Sequence, residues 1–349
     1  MGAAGSEEAA PSTGVEVNDK AQVETKVKLA DEDRSAPESR PVKLETTLPA
    51  TPGGAPVLLG QAFGSRNQVE MGGESVLEVF GYCPVGVNGC HIPDASPFVH
   101  KLYAYLALAE VPFILPEKKP TPPKGKYPFV RFHTGELLGD SQLIIEALEE
   151  RRPPDARLDA WLSADQRAAS HMARRLCEES LYWNMIIETR WRNEENFQSM
   201  TKPTLYRPLF EGLLPRAALI LTPLVTNMVR GDILKGFKGH GYGRHTSSEV
   251  AKLAVDDLRA LEALLSGSGP FFHGQRPCTV DATLYAFASG IRLNLAAFEL
   301  CDESAERFFE RACPKLSAQC EAMDGLLSDK IWAVVSPRSS PSAALEAAE

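Results

Sequence analysis

The chain has 349 residues, of which 44% are hydrophobic and 24% charged, with a formal net charge of -9. That is length for two domains with cores of ordinary size, and the acidic balance argues against nucleic acid as a partner, because phosphate recognition needs a basic face. Seven cysteines in so long a chain make no disulfide framework and point to a reducing, cytoplasmic setting.

Residues 1–72 are rich in Glu, Ala, Ser, Pro, Thr and Gly and nearly free of aromatics. Such a segment cannot bury enough apolar surface to offset its ordering entropy, so a disordered N-terminal tail is expected. Its start, Met1-Gly2-Ala3-Ala4-Gly5-Ser6, fits an N-myristoylation pattern. A chance match in a small-residue tail explains it as well, since Glu7 and Glu8 stand where a second, basic anchor would help. One acyl chain at Gly2 would give only weak, peripheral membrane association. No run of eighteen apolar residues occurs, so no transmembrane segment is expected, and the N-terminus lacks the pattern of a signal peptide.

Ordered sequence begins with a first strand over Ser75 to Phe80. A loop of Gly, Pro, Cys and Asn is expected to run to Ala95. Ser96 and Pro97 then open a helix, as a good N-cap followed by a residue suited to the first turn. Phe98, Leu102, Tyr105 and Ala109 recur at helical spacing. Pro112 to Leu115 reads as a second strand and the Pro/Lys stretch from Lys118 to Lys126 as a loop. Tyr127–Phe132 and Glu136–Leu138 read as a hairpin about Thr134-Gly135, and Gln142–Glu150 as a helix. Arg151-Arg152-Pro153-Pro154 marks a boundary. From Trp161 the pattern is helical. Met172, Leu176, Trp183 and Ile187 mark one long helix, Gly236 to Gly243 interrupts the pattern, and Thr246–Glu249 is a capping box. Helices are expected to end at Gly267 and to open at Asp281 and Pro314. The division is therefore a tail (1–72), a mixed α/β domain (73–151), a linker (152–160), an all-helical domain (161–333) and a flexible end (334–349).

The order of elements suggests a thioredoxin-like domain joined to a helical one, and the motifs sharpen this. Lys124–Val130 followed by Gly135–Ser141 resembles the third strand and third helix of glutathione transferases, and Phe271–Ala282 resembles the buried capping segment of their helical domain, with Cys278 in place of the usual Ser or Thr. Within that superfamily the chain is most similar to the failed axon connections and metaxin-like group, through Ser96-Pro97-Phe98, Arg190-Trp191, Gly239-His240-Gly241-Tyr242-Gly243-Arg244-His245, and Pro314-Lys315-Leu316 with Cys320-Glu321. The resemblance implies a thioredoxin-like N-terminal domain and an all-helical C-terminal domain of glutathione-transferase type. It further implies a cis bond before Pro128, and glutathione as ligand held by the Phe129 backbone, Asp140 and Ser141.

Two functions follow as expectations. One is a glutathione-dependent transferase that carries glutathione to a small electrophile in the cleft between the domains. Ser96 is the candidate hydroxyl for the thiol, with Tyr82 and Cys83 as alternatives. Making a thiol of pKa about 8.5 mostly thiolate needs roughly 2.7 kcal/mol, within reach of one hydrogen bond to a charge at about 1.5–3 kcal/mol. The same residues have ordinary readings too: Ser96 as an N-cap, Asp140-Ser141 as a helix start, Cys83 as a loop thiol. The other expectation is a non-enzymatic protein that uses the fold as a scaffold for a protein partner, with the Gly239–His245 loop at the contact. Cys83, Cys90 and His91 supply three metal ligands and lack a fourth, so no metal centre is expected.

Overall fold

The computed structural model describes residues 76–87, 90–202, 215–294, 299–300, 303–304 and 311–335, all within the unit Ser65–Glu349. The tail, Gly2 and residues 336–349 lie outside the described residues.

The first half is a mixed sheet with helices packed on it. Strand β1 (Leu77–Phe80) is followed by a small hairpin, β2 (Val85–Val87) and β3 (Cys90–Ile92), then by α1 (Pro97–Leu108) and β4 (Phe113–Ile114). Next come β5 (Phe129–Arg131), β6 (Leu137–Gly139) and α2 (Ser141–Arg151). The sheet order is β4-β1-β5-β6, with β4 parallel to β1 and the other pairs antiparallel. This is the thioredoxin-like arrangement, with a β1–α1–β4 crossover of the kind that parallel strands require.

Helix α1 explains how the halves hold together. From Val99 to Ala107 every residue is buried, the charged Lys101 included. A helix apolar nearly all round is one covered on all sides. One side faces the sheet. The other meets the helical half, where the Phe98 ring stands edge-on to Tyr182 and Phe287 at centroid distances of 5.1 and 5.6 Å.

The helical half begins with α3 (Ala164–Arg175), capped by a Ser163/Gln166 capping box. It runs without a break into a π-type stretch, Leu176–Arg192. Within it Cys177, Glu178, Leu181 and the whole run Asn184–Arg190 are buried. Met172 was expected on the buried face but is 68% exposed. The later helices are α4 (Pro215–His240), α5 (Ser247–Leu264), α6 (Thr279–Asn294) and α7 (Pro314–Val335). Helix α4 passes through Gly236 and Gly239, where the pattern was expected to stop. It breaks at Gly241, whose φ of 120° no ordinary side chain favours. Among the described residues, no helix is long and apolar enough to cross a membrane.

Asp281 ties α6 down. Its carboxylate accepts the backbone N–H groups of Phe272 (2.8 Å) and Cys278 (2.9 Å), the Cys278 thiol (3.2 Å) and the Gln319 amide. Cys278 is thus a donor to Asp281, and the absent Ser or Thr leaves no N–H uncapped at that position.

Candidate functional site

The segment between β1 and α1 decides whether a first-strand hydroxyl can stand near the start of α1. It was expected to be a loop long enough to separate Tyr82 from Ser96. It is instead a hairpin that leaves and returns. Val85 pairs with Ile92 and Val87 with Cys90, two residues apart in the connection, and the Ala95 N–H donates to the Cys83 carbonyl (2.9 Å), closing the base. Asn88-Gly89 is the short-range signal that would have found it. The excursion brings the chain back to where it left, and Tyr82 and Ser96 line one cavity.

That cavity has a volume of about 530 Å3 and lies between the two halves. One wall is Tyr82, Ser96, Tyr127, Pro128, Asp140 and Ser141; the facing wall is helical and largely aromatic, with Tyr182, Trp183, Ile186 and Trp191. Lys124 and Lys126 reach it from the loop before β5, and Arg190 from the π-type stretch.

Ser96 is the N-cap of α1. Its Oγ accepts a long hydrogen bond from the Val99 N–H (3.4 Å), which leaves the hydroxyl proton free to turn to the cavity, and its own N–H donates to Asp94 (2.8 Å). Asp140 caps α2, accepting from the Gln142 and Leu143 N–H groups at 2.9 and 3.2 Å. It does so at φ 93°, a backbone state that costs of order 1–3 kcal/mol in a residue with a Cβ and persists where its surroundings require it. Ser141, the first residue of α2, is 4% exposed, and its side chain has no hydrogen-bond partner among the described residues. Helix N-termini of this kind attract carboxylates.

Two expected residues stand elsewhere. Phe129 does not line the cavity. Its ring is buried and stacked on Phe80 at 4.5 Å, and its main chain is in register with both Phe80 and Gly139, so it offers no open edge. The Pro128 carbonyl is likewise taken, by the Asp140 N–H (3.2 Å). The residues lining the cavity at this corner are Tyr127 and Pro128, joined by a cis bond. Cys83 is half-buried and is not part of the cavity lining.

Several groups escaped sequence reasoning. Asp94 is fully buried beneath Tyr82 and Ser96, and accepts a backbone N–H from each. Burial pushes its carboxyl up to about 8, against the pull of its hydrogen bonds and of Lys119 and Arg190. Gly81 makes room for it: a Cβ there would come within 2.7 Å of Asp94 Oδ2 and 2.6 Å of Val99 Cγ1. Lys119, expected in a solvated charge run, donates to the Gly81 carbonyl at 2.7 Å. Arg190 is 5% exposed and donates to the Ala95 and Gly290 carbonyls. Burial holds its guanidinium down to about 10, which leaves it a cation at neutral pH. Burial also raises the Tyr82 hydroxyl far above the usual tyrosine range, with Asp94 adding to it, so Tyr82 stays a proton donor.

The Gly239–His245 segment supports the cavity from behind. His240 stacks on Trp183 at 4.8 Å, and the Tyr242 hydroxyl meets Ser180 Oγ (2.6 Å), which donates to Asp257. Arg244 and His245 are exposed. A Cβ on Gly243 would sit 2.7 Å from the Lys238 nitrogen, a backbone atom that cannot step aside. Gly243→Ala is therefore expected to destabilise the protein by about 1–3 kcal/mol, read as a lowered midpoint in urea with an altered Trp183 environment in fluorescence. An unchanged midpoint would show that the turn is not a packing device.

Residues 97–196 match the family described as glutathione S-transferase, N-terminal domain, and residues 254–323 match glutathione S-transferase, C-terminal domain. An isoprene-epoxide–glutathione S-transferase from Rhodococcus sp. (strain AD45) is 32% identical over 218 residues, covering 60% of this chain and 84% of that protein. Failed axon connections of Drosophila melanogaster is 29% identical over 240 residues, 66% of this chain and 54% of that one. Among solved structures, a glutathione S-transferase from Methylobacterium radiotolerans in complex with glutathione sulfonate aligns over 73% of this chain and 94% of its own, at 14% identity and a TM-score of 0.45. With both halves matched, and a relative at 32% identity covered over most of its length, this chain belongs to the glutathione S-transferase family.

Proposed function

We propose that the main cavity binds glutathione and that the protein transfers it to a small, largely apolar electrophile. The observation that carries this reading is the meeting of three residues in one cavity: Ser96, Tyr127, and Ser141 at the α2 N-terminus. The tripeptide's γ-glutamyl carboxylate would sit on the α2 N-terminus, at the Ser141 N–H and hydroxyl. Its backbone would pair with Tyr127, and Lys124 or Lys126 would meet the glycyl carboxylate. The sulfur then lies toward Ser96, with the Tyr82 hydroxyl and the Arg190 charge on the same side. Asp94, held protonated below pH about 8, does not offset that charge, which favours a thiolate.

The aromatic wall fits a compact hydrocarbon electrophile, and the Rhodococcus relative's name makes an epoxide the first to try. The thiolate would form a C–S bond as the C–O bond of the ring breaks, and the alkoxide would take a proton from Tyr82 or water. Cys177, Cys278, Cys313 and Cys320 are buried free thiols, each with its pKa pushed up by burial. That suits a reducing, cytoplasmic setting and keeps them out of the chemistry.

The test is retention on immobilised glutathione together with turnover of a small alkene epoxide. Ser141→Ala is expected to weaken glutathione binding about tenfold, the worth of one charge-assisted hydrogen bond. Ser96→Ala is expected to lower kcat while leaving retention intact. Absence of retention at millimolar glutathione would sink the reading and favour the non-enzymatic scaffold.

A further inference from the structure

A second cleft, of about 260 Å3, lies on the other side of α1 and shares no lining residue with the first. The inserted hairpin forms one side of it through His91, Ile92 and Pro93; α1 contributes His100, α6 Tyr285 and Arg292, and α7 Asp324 and Trp332.

His100 forms the floor. It is 1% exposed, and neither ring nitrogen has a hydrogen-bond partner. Its one close neighbour of note is the Tyr285 ring, edge-on at 4.9 Å. Burial, with Arg190 adding, pushes its pKa down to about 3, so the ring is neutral and presents one N–H donor and one bare nitrogen. Leaving both unmet in the interior is costly. The cleft beside the ring is large for water alone, whose share of liquid volume is about 30 Å3.

The other lining groups define what fits. Arg292 and Asp324 carry opposite fixed charges and make no ion pair with each other. Asp324 accepts the Tyr285 hydroxyl through Oδ1 (2.5 Å), which leaves Oδ2 for a second donor. Arg292 is hydrogen-bonded with Cys320 and keeps other N–H groups of its fork. Ser289 and Ser328 add hydroxyls. A simple anion would find Arg292 but also face Asp324; a simple cation would meet the reverse. A molecule bearing both charges satisfies both, with a planar carboxylate on the guanidinium fork, an ammonium on Asp324, and its remaining polar atoms on Ser289 or Ser328.

We propose that this cleft is a binding site for a small zwitterion of α-amino-acid size, separate from the glutathione cavity. It does not depend on the transferase reading, since none of its residues takes part there.

The experiment is isothermal titration calorimetry of the full chain with glycine, L-serine and L-glutamate, and with acetate and methylammonium as single-charge probes. At least one amino acid is expected to bind about tenfold or more tighter than either single-charge probe. Arg292→Gln and Asp324→Asn, both at partly or fully exposed positions, are each expected to weaken that binding about tenfold without changing the melting temperature or retention on immobilised glutathione. Acetate binding as tightly as the amino acids would overturn the proposal in favour of a plain anion site. No heat from any amino acid up to about 10 mM, weaker than the millimolar end of the affinity scale, would overturn it outright, as would binding indifferent to both substitutions.

Discussion

Glu178→Ala is expected to cost about 3–5 kcal/mol of stability, the range for removing one partner of a buried ion pair. Lys101 in α1 is 1% exposed, and its ammonium donates to Glu178 Oε1 and Gln142 Oε1, both at 2.7 Å. Glu178 also accepts from Arg174 at 2.8 Å. Removing the glutamate strands the lysine; removing the lysine leaves the glutamate with Arg174. Lys101→Met should therefore cost much less than Glu178→Ala, and the double variant should recover most of the loss. The pH dependence has a definite sign. Burial already holds the Lys101 pKa below the ordinary value in the folded protein, with Glu178 pulling the other way. Without Glu178 it falls further. The folded variant then binds fewer protons than the unfolded chain, whose lysine keeps its pKa of about 10.4. Its deficit against the parent narrows as pH rises toward that value. Urea denaturation of the three variants at neutral and alkaline pH reads both effects. Equal losses for the two single substitutions would show that the ion pair is not what joins α1 to the helical half.

The fold was legible where a local rule and the tertiary environment agree. Ser96-Pro97, Asp140-Ser141 and Thr246–Glu249 start helices because their side chains cap backbone N–H groups at short range, and they do so here. The failures are physical in origin. The burial of Lys101, Lys119 and Arg190 left no sign in the sequence, since a lone cation does not show that a carboxylate or carbonyl from another element will cover it. Asp94 in a Pro-Asp-Ala-Ser run reads as a turn residue; its burial depends on Gly81, thirteen positions earlier, lacking a side chain. Phe129 was expected to hold a ligand because it follows Pro128, but its strand is a central one, with Phe80 in register on one side and Gly139 on the other.

Asp94→Asn is expected to remove a loss of stability that builds up from about pH 4 to about pH 8 and amounts to several kcal/mol. In the unfolded chain this carboxyl ionises near 3.9; in the fold it is raised to about 8, chiefly by burial. Between those values the folded state keeps a proton that the unfolded state has lost. Stability from this group is therefore full at acid pH and lost as pH rises, by up to about 1.4 kcal/mol per unit, until Asp94 ionises in place. An asparagine has no such transition, and its Oδ1 can still accept the Ser96 N–H. Parent and variant should differ least below about pH 4, and the variant should be the more stable near pH 9. The same substitution bears on chemistry. Above pH about 8 an ionised Asp94 would offset the Arg190 and Lys119 charges that act on it and raise the thiol pKa of any glutathione bound near Ser96 and Tyr82. The parent's thiolate fraction, read by ultraviolet difference absorbance of the bound thiol, should then climb less steeply with pH than that of Asp94→Asn. Matching stability profiles for the two proteins would mean that the carboxylate is charged throughout. The electrostatic account of the thiol site would then fall with it, because Arg190 would already be neutralised at physiological pH.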